Sequence, residues 1–382
     1  MRPLRVPRSF AVLATLALAG VAPSQQPGER SESQHAAQAA VDTTLDFFVK
    51  TQHDDGSWGS TSCESTTEMV FAVETQYAWA VGAHALVTMM LLEADETPAR
   101  RRALDLAVRW LTRCRMTQRG STWDNDAVWG WLYGAVATTR IAQDPRFQND
   151  DWREPLAGRG RAFVGWLEKN QEPTGGFGYY DDPPYTQRPK WGTSFSTGLV
   201  VPALGDALKL GWLRDPETRE RAMHYVQQCR LPNGAVSYDL TPIPRINGGE
   251  HINDVKGSLG RIQVANWALR LAGDEQITDA VIRRGLEQFF EHHRFLAIAR
   301  MRPIPHEAYY YNAGYFFYFG HYYAALAIEL LPVAEREPWR EKLRAKVIET
   351  QRADGTYCDF LGVSYMINSS SAFATLALLA GL

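Results

Sequence analysis

Asp124-Asn125-Asp126 sets two carboxylates two residues apart, directly ahead of the apolar run that begins at Ala127. A carboxyl group kept protonated by its surroundings can act as a strong general acid near neutral pH. Placed across a cleft from Asp254, Asp126 would instead supply the paired carboxylates that glycoside hydrolysis requires. His251, three residues before Asp254, adds an imidazole to the same loop. Asp124, Asp126, His251 and Asp254 are therefore the candidate catalytic residues. Asp124 or Asp126 serves equally well as a helix cap, since a short side-chain oxygen at that position satisfies free backbone N–H groups.

A second chemical signal is the segment from His306 to Tyr323, where aromatic residues crowd together. Tyr315, Phe319 and Tyr322 recur at helical spacing and share one face. Tyr311, His306 and His321 lie in the same segment, and Trp129 opens another apolar helix. Facing a cavity, such rings stabilise a cationic intermediate or stack on sugar rings. Facing one another, they are core, although buried tyrosine hydroxyls then need partners. His321 inside such a stripe also reads as a core histidine with its hydrogen bonds satisfied.

The elements that must carry these side chains come in copies. Gln52…Gly56-Ser-Trp58, Gln118…Gly120…Trp123, Gln171…Gly175-Gly-Phe177, Gln228…Gly234 and Gln351…Gly355-Thr-Tyr357 repeat one pattern. An amphipathic helix precedes each Gln, and a more apolar helix follows each Gly segment. The gap from Gln228 to Gln351 is about twice the others and holds one further pair, 281–290 and 314–331, with His292-His293 where the Gln would stand. Six helical pairs result. A lone hairpin cannot bury its apolar face and must stack on its neighbours. The second helices, apolar nearly all round, suit a buried inner ring, and the first helices, with one charged face, suit an outer ring. The expected fold is all-α, a single (α/α)6 toroid over residues 41–382. All six inner helices then start at one end, and their free N–H groups favour electronegative groups there. The loops at that mouth carry Asp124, Asp126, Asp181-Asp182, Glu250-His251, Asp254, His306-Glu307 and Asp359.

The Gln…Gly-x-aromatic repeat resembles that of the squalene cyclase and protein prenyltransferase superfamily. The resemblance implies a terpenoid cyclase-like toroid with a central cavity. It also implies that Gln52, Gln171 and Gln351 tie one repeat to the next inner helix, with Trp58, Phe177 and Tyr357 stacked nearby. Gln118, Trp123 and Gln228 belong to the same structural set. The Asp-x-Asp-Asp acid motif of the proton-initiated cyclases is met at Asp124 and Asp126 but has Ala127 in its last position. Of the prenyltransferase zinc pattern, Cys358 lacks an Asp two residues before it. No metal and no cofactor is expected. Cys63-Glu64-Ser65 does not match the thioester motif of complement-type toroids. In a closed ring the first and last repeats are neighbours, and a disulfide from Cys63 to Cys358 would staple it shut, closing a loop of roughly 300 residues.

Arg2, Arg5 and Arg8 followed by an apolar run at 10–21 read as an export signal, with residues 1–24 removed and 25–40 a polar linker. The expected location is periplasmic or extracellular, where disulfides persist. A net charge of −3 without a basic patch argues against nucleic acid. No later segment has the length of a membrane span, which leaves peripheral membrane contact open. Aromatics at 12%, with twelve Trp, suit a pocket wall as well as a core. An apolar, polyprenoid-like ligand, bound or transformed in the cavity, is the leading expectation. A carbohydrate-active enzyme and a non-catalytic scaffold are the alternatives, and the sequence leaves the oligomeric state unassigned.

Overall fold

The computed structural model describes residues 31–60, 63–66, 71–180, 186, 188–243 and 248–382. The expected signal segment and Asp181-Asp182 lie outside the described residues. Six outer helices, α1 (Glu32–Thr51), α3 (Pro98–Arg113), α5 (Asp150–Asn170), α7 (Glu217–Gln228), α9 (Asp279–Glu291) and α12 (Val333–Ile348), alternate with six inner ones. The inner helices are α2 (Val73–Glu93), α4 (Val128–Gln143), α6 (Ser194–Lys209), α8 (Leu259–Ala272), α11 (Phe316–Ile328) and α13 (Ser364–Leu379). A short α10 (Arg294–Ala299) bridges the fifth unit. Each inner helix packs on the next, and α13 packs back on α2, so the ring closes into the expected toroid. Among the described residues no helix is long and apolar enough to cross a membrane.

The ring is held by a recurring latch. Gln52 donates to Gly56 O of its own turn and, at 2.9 Å, to Ala103 O in α3. Gln171 repeats this with Gly175 O and Thr218 O in α7. Gln351 donates to Gly355 O and to Ala40 O and Thr44 Oγ1 in α1, joining the last unit to the first. Each Gln therefore reaches the next outer helix, not the next inner one as the resemblance implied. The reason is that the Gly turn lies at the outer wall, where backbone carbonyls of the next outer helix, each with a second lone pair, are the nearest acceptors. Gln118 and Gln228 are exposed and form no such latch, and Trp123 is exposed. Gln351→Ala should therefore cost on the order of 1–3 kcal/mol in chemical denaturation, and Gln118→Ala almost nothing. Equal losses would remove the latch assignment.

Four local features depart from the sequence expectation. Helix α1 begins at Glu32, inside the stretch read as linker, because Ser31 and Gln34 form a capping box and Ala37 and Ala40 supply a small apolar face. The apolar spacing predicts the last inner helix over 371–379, but α13 begins at Ser364, because Glu64 of the first unit accepts the Ser364 N–H at 2.8 Å. Two short strands, β1 (Phe177–Tyr179) and β2 (Trp191–Thr193), pair antiparallel with Tyr179 opposite Trp191. Their facing glycines allow it: a Cβ on Gly178 would sit 2.2 Å from Trp191 O. The expected Cys63–Cys358 disulfide is absent, and both are free thiols. Cys63 is exposed and donates to Ser65 O, while buried Cys358 turns to Phe360 O and Leu361 O, so each thiol is satisfied by its own loop.

His293 stands where the fifth unit lacks its Gln and meets His321 of α11, Nε2 to Nε2 at 3.0 Å. His321 Nδ1 lies 2.7 Å from Phe317 O, and a carbonyl only accepts, so Nδ1 carries the hydrogen. Its bare Nε2 then accepts from His293 Nε2–H. His321 thus points to the outer layer rather than into the cavity. Burial holds both rings well below the usual 6.5. Between their folded pKa values and 6.5 the unfolded chain binds more protons, so their contribution to stability is lost as pH falls below 6.5. The double variant His293→Leu/His321→Leu should lose less melting temperature between pH 6.5 and 4.5 than the native chain. Identical pH slopes would contradict the neutral pair.

Candidate functional site

At the end where the inner helices begin, aromatic residues face one another across the barrel. Trp79 of α2 stacks on Tyr365 of α13, with ring centres 5.0 Å apart. Trp129 of α4 stacks on Phe195 of α6, and Phe195 meets Phe316 of α11 edge-on. Tyr179 and Trp191, delivered by the strand pair, lie 5.1 Å apart, and Tyr238 bridges Phe195 to His306. Trp79, Asp126, Trp129, Tyr179, Tyr238 and Tyr315 retain partial accessibility although they lie within the ring. The partial accessibility of these side chains leaves a recess, the chamber, at this end of the ring. Lower down the chamber ends. Phe319, Phe373 and Tyr133 pack edge to edge, and Tyr322 below them takes a hydrogen bond from Arg140 at 3.2 Å. The barrel is therefore open in its upper part and filled beneath.

Asp126 sits in this chamber. Its Oδ2 accepts the Trp79 indole N–H at 3.1 Å, and it has no second hydrogen-bond partner among the described residues. Burial pushes its carboxyl up to about 6, and the Trp79 bond pulls part of the way back. Its neighbours are the hydroxyls of Tyr179, Tyr238 and Tyr315, all held above the usual phenol range mainly by burial.

Opposite Asp126, His306 and Tyr315 form an ordered pair. His306 Nδ1 lies 2.7 Å from Tyr311 O and so carries the hydrogen. Its Nε2 accepts the Tyr315 hydroxyl at 2.9 Å, and burial lowers the ring's pKa and keeps it neutral. Met301, His306, Tyr310 and Tyr311 all adopt left-handed backbone with φ between 55° and 64°. Such conformations cost non-glycine residues about 1–2 kcal/mol each and collect where function fixes the backbone.

The other candidates fall elsewhere. Asp124 is buried and accepts from the N–H groups of Gly120 and Ser121, so it locks the turn ahead of α4 rather than capping the helix. His251 lies against Ile243 O and accepts from Asn253 N–H, while Asp254 accepts from His251 N–H. Both hold their own loop. Tyr311 is exposed, and only its carbonyl serves the site. Phe319 and Tyr322 belong to the plug beneath the chamber, and Trp129 to the chamber wall. Asp359, pushed up to about 7 by burial, accepts from Ser370 and from Tyr318 N–H and secures the start of α11. Trp79, Tyr179, Tyr238 and Tyr365 went unread in the sequence. A signal for two of them exists, since Tyr179 and Tyr238 occupy the same place after the repeat glycines Gly175 and Gly234.

The fold and the chamber define a single-ring α/α toroid whose mouth is aromatic, with Asp126 as the acid that enters the chamber. Solved structures with this fold include a type II terpene cyclase from Scytonema, 11% identical, covering 91% of this chain and 98% of that one, with a TM-score of 0.51. They also include an inactive variant of an α-1,6-mannanase from Salegentibacter in complex with α-1,6-mannotetrose. That one is 14% identical, covers 91% of this chain and 100% of its own, and has a TM-score of 0.53. A β-1,3-1,4-glucanase from Paenibacillus is 9% identical, covering 95% and 96%, with a TM-score of 0.54. At these identities the likeness concerns the fold. No protein-family model matches the sequence, and no curated protein matches it.

Proposed function

We propose that the chamber receives an apolar, polyprenoid-like ligand and that Asp126 acts on it as a proton donor. The observation that carries this reading is a single buried carboxyl, bonded only to an indole, among aromatic rings. Protonating an alkene or epoxide creates a carbocation. Ring faces such as those of Trp79, Trp129 and Tyr365 attract a cation, and an enclosed site keeps water from quenching it. Hydrolysis of a glycoside needs a second carboxylate at a set distance. Among the described residues no other acid bears on Asp126, which favours the polyprenoid over the sugar. The mature chain is proposed to act after export, on the strength of the segment read at 1–24.

Titrating the full chain with geranylgeraniol and following tryptophan fluorescence tests the ligand class. Saturable quenching is expected, weakened at least several-fold in Trp129→Ala. Saturation by mannotetraose in place of the isoprenoid would overturn the polyprenoid reading.

A further inference from the structure

Arg261 of α8 is fully buried and forms no ion pair among the described residues; Asp239, on the chain leading to α8, is the carboxylate that bears on it, from beyond ion-pair distance. Arg344, equally buried, is paired with Glu337 at 2.6 Å. A guanidinium removed from water without a counter-charge is costly unless something else compensates it. Part of the compensation is visible. Nε donates to Val236 O at 3.1 Å and Nη2 to Ile252 O at 2.5 Å. The guanidinium carbon lies 5.4 Å from the centre of the Tyr238 ring and 5.8 Å from that of Phe316, both chamber walls. The remaining nitrogen, Nη1, has no hydrogen-bond acceptor among the described residues, yet it is not one of the sealed, unpartnered atoms. It is the free donor of a guanidinium that lies against two rings of the chamber wall.

Tyr238 and Tyr315 each feel both Arg261 and Asp126, and Tyr238 feels Asp239 as well. The cation and the acid thus bear on one pair of hydroxyls without pairing with each other. We infer that Arg261 is a binding residue for an anionic end group of the ligand, a carboxylate, so that the substrate is an acid with a long apolar body. One guanidinium balances one charge. A phosphate monoester, carrying nearly two, would leave the excess uncompensated in an apolar wall. This inference rests on the polyprenoid reading above for the ligand's body, though not for its charged end.

The test uses two matched pairs at pH 7 with the full chain: octanoate against octan-1-ol, and geranylgeranoic acid against geranylgeraniol. Tryptophan fluorescence reports the Kd of each. The acid of each pair should bind about ten-fold tighter than the alcohol, the usual scale of a charge-assisted hydrogen bond. Arg261→Gln should bring the ratio to near one, and Arg261→Lys should keep part of it. Arg261 also braces the backbone at Val236 and Ile252, so its variants can lose stability. The ratio in the native chain needs no variant, and a purely structural role would leave it at one. Equal affinity within both native pairs, or a preference that survives Arg261→Gln, overturns the inference. Preference for octanoate with no binding of either isoprenoid keeps the anion site and discards the polyprenoid. Equal binding of both isoprenoids does the reverse.

Discussion

Asp126→Asn should lower turnover of any isoprenoid the chamber converts by on the order of a thousand-fold, with binding changed by less than about two-fold. The amide has the size of the carboxyl and still accepts the Trp79 indole N–H seen at 3.1 Å. What it loses is the proton. The active form is the protonated acid, and burial sets its carboxyl at about 6. Native turnover should therefore be highest below pH 6 and decline as pH rises through that value. Trp79 lowers the pKa by donating to the carboxylate, so Trp79→Phe should move that alkaline limb to higher pH. Tyr315→Phe, which breaks the bond to His306 but removes no hydrogen bond from Asp126, should leave the limb in place. A full rate in Asp126→Asn, measured by product mass spectrometry at pH 5.5, removes Asp126 as the donor.

The ring was legible in the sequence because its signals are local and repeated. Helical periodicity, a glycine after five of the six outer helices and five copies in phase lead to one closed object. The latch was half legible. Gln52, Gln171 and Gln351 stand out by pattern, but whether their amides reach an inner or an outer helix depends on where the Gly turn lies in space. Gln118 and Gln228 carry the same letter without the bond, since identity of residue does not fix its neighbours. The chamber was legible at Asp126, Trp129, His306 and Tyr315, which stand beside the starts of inner helices. It was opaque at Trp79 and Tyr365, which meet only because α13 closes on α2. Arg261 shows why: on an apolar helix it reads as one more charged residue, and only its burial without an ion pair, against the rings of Tyr238 and Phe316, makes it unusual. Tyr179 and Trp191 were hidden by an opposite effect, since strands of three residues fall below the length at which periodicity can be seen.

Gly56→Ala should destabilise the fold by about 3–4 kcal/mol, more than any single latch hydrogen bond. Gly56 adopts φ +92°, where a side chain costs about 1–2 kcal/mol. An added Cβ would also lie 2.3 Å from Leu106 O and 2.6 Å from Leu106 C, both backbone atoms of the next outer helix. Backbone cannot rotate aside as a side-chain end can, so α3 must move away, which adds about 1–3 kcal/mol of overpacking. Gln52 donates to Gly56 O and Ala103 O across the same gap, so the shift also strains the latch. Gly175 is built alike, its Cβ meeting Arg221 O at 2.5 Å. Gly234 is the control. It shares the positive φ, +88°, but an added Cβ would meet only side-chain ends, Gln288 at 3.3 Å and Arg284 at 3.8 Å. Gly234→Ala should therefore cost only about 1–2 kcal/mol, the backbone term alone. Guanidinium titrations of the two variants separate the effects. Equal losses would mean that conformation alone, and not the approach of the neighbouring helix, demands glycine in these turns. A gap of about 2 kcal/mol would show that the same residue closes both the turn and the ring.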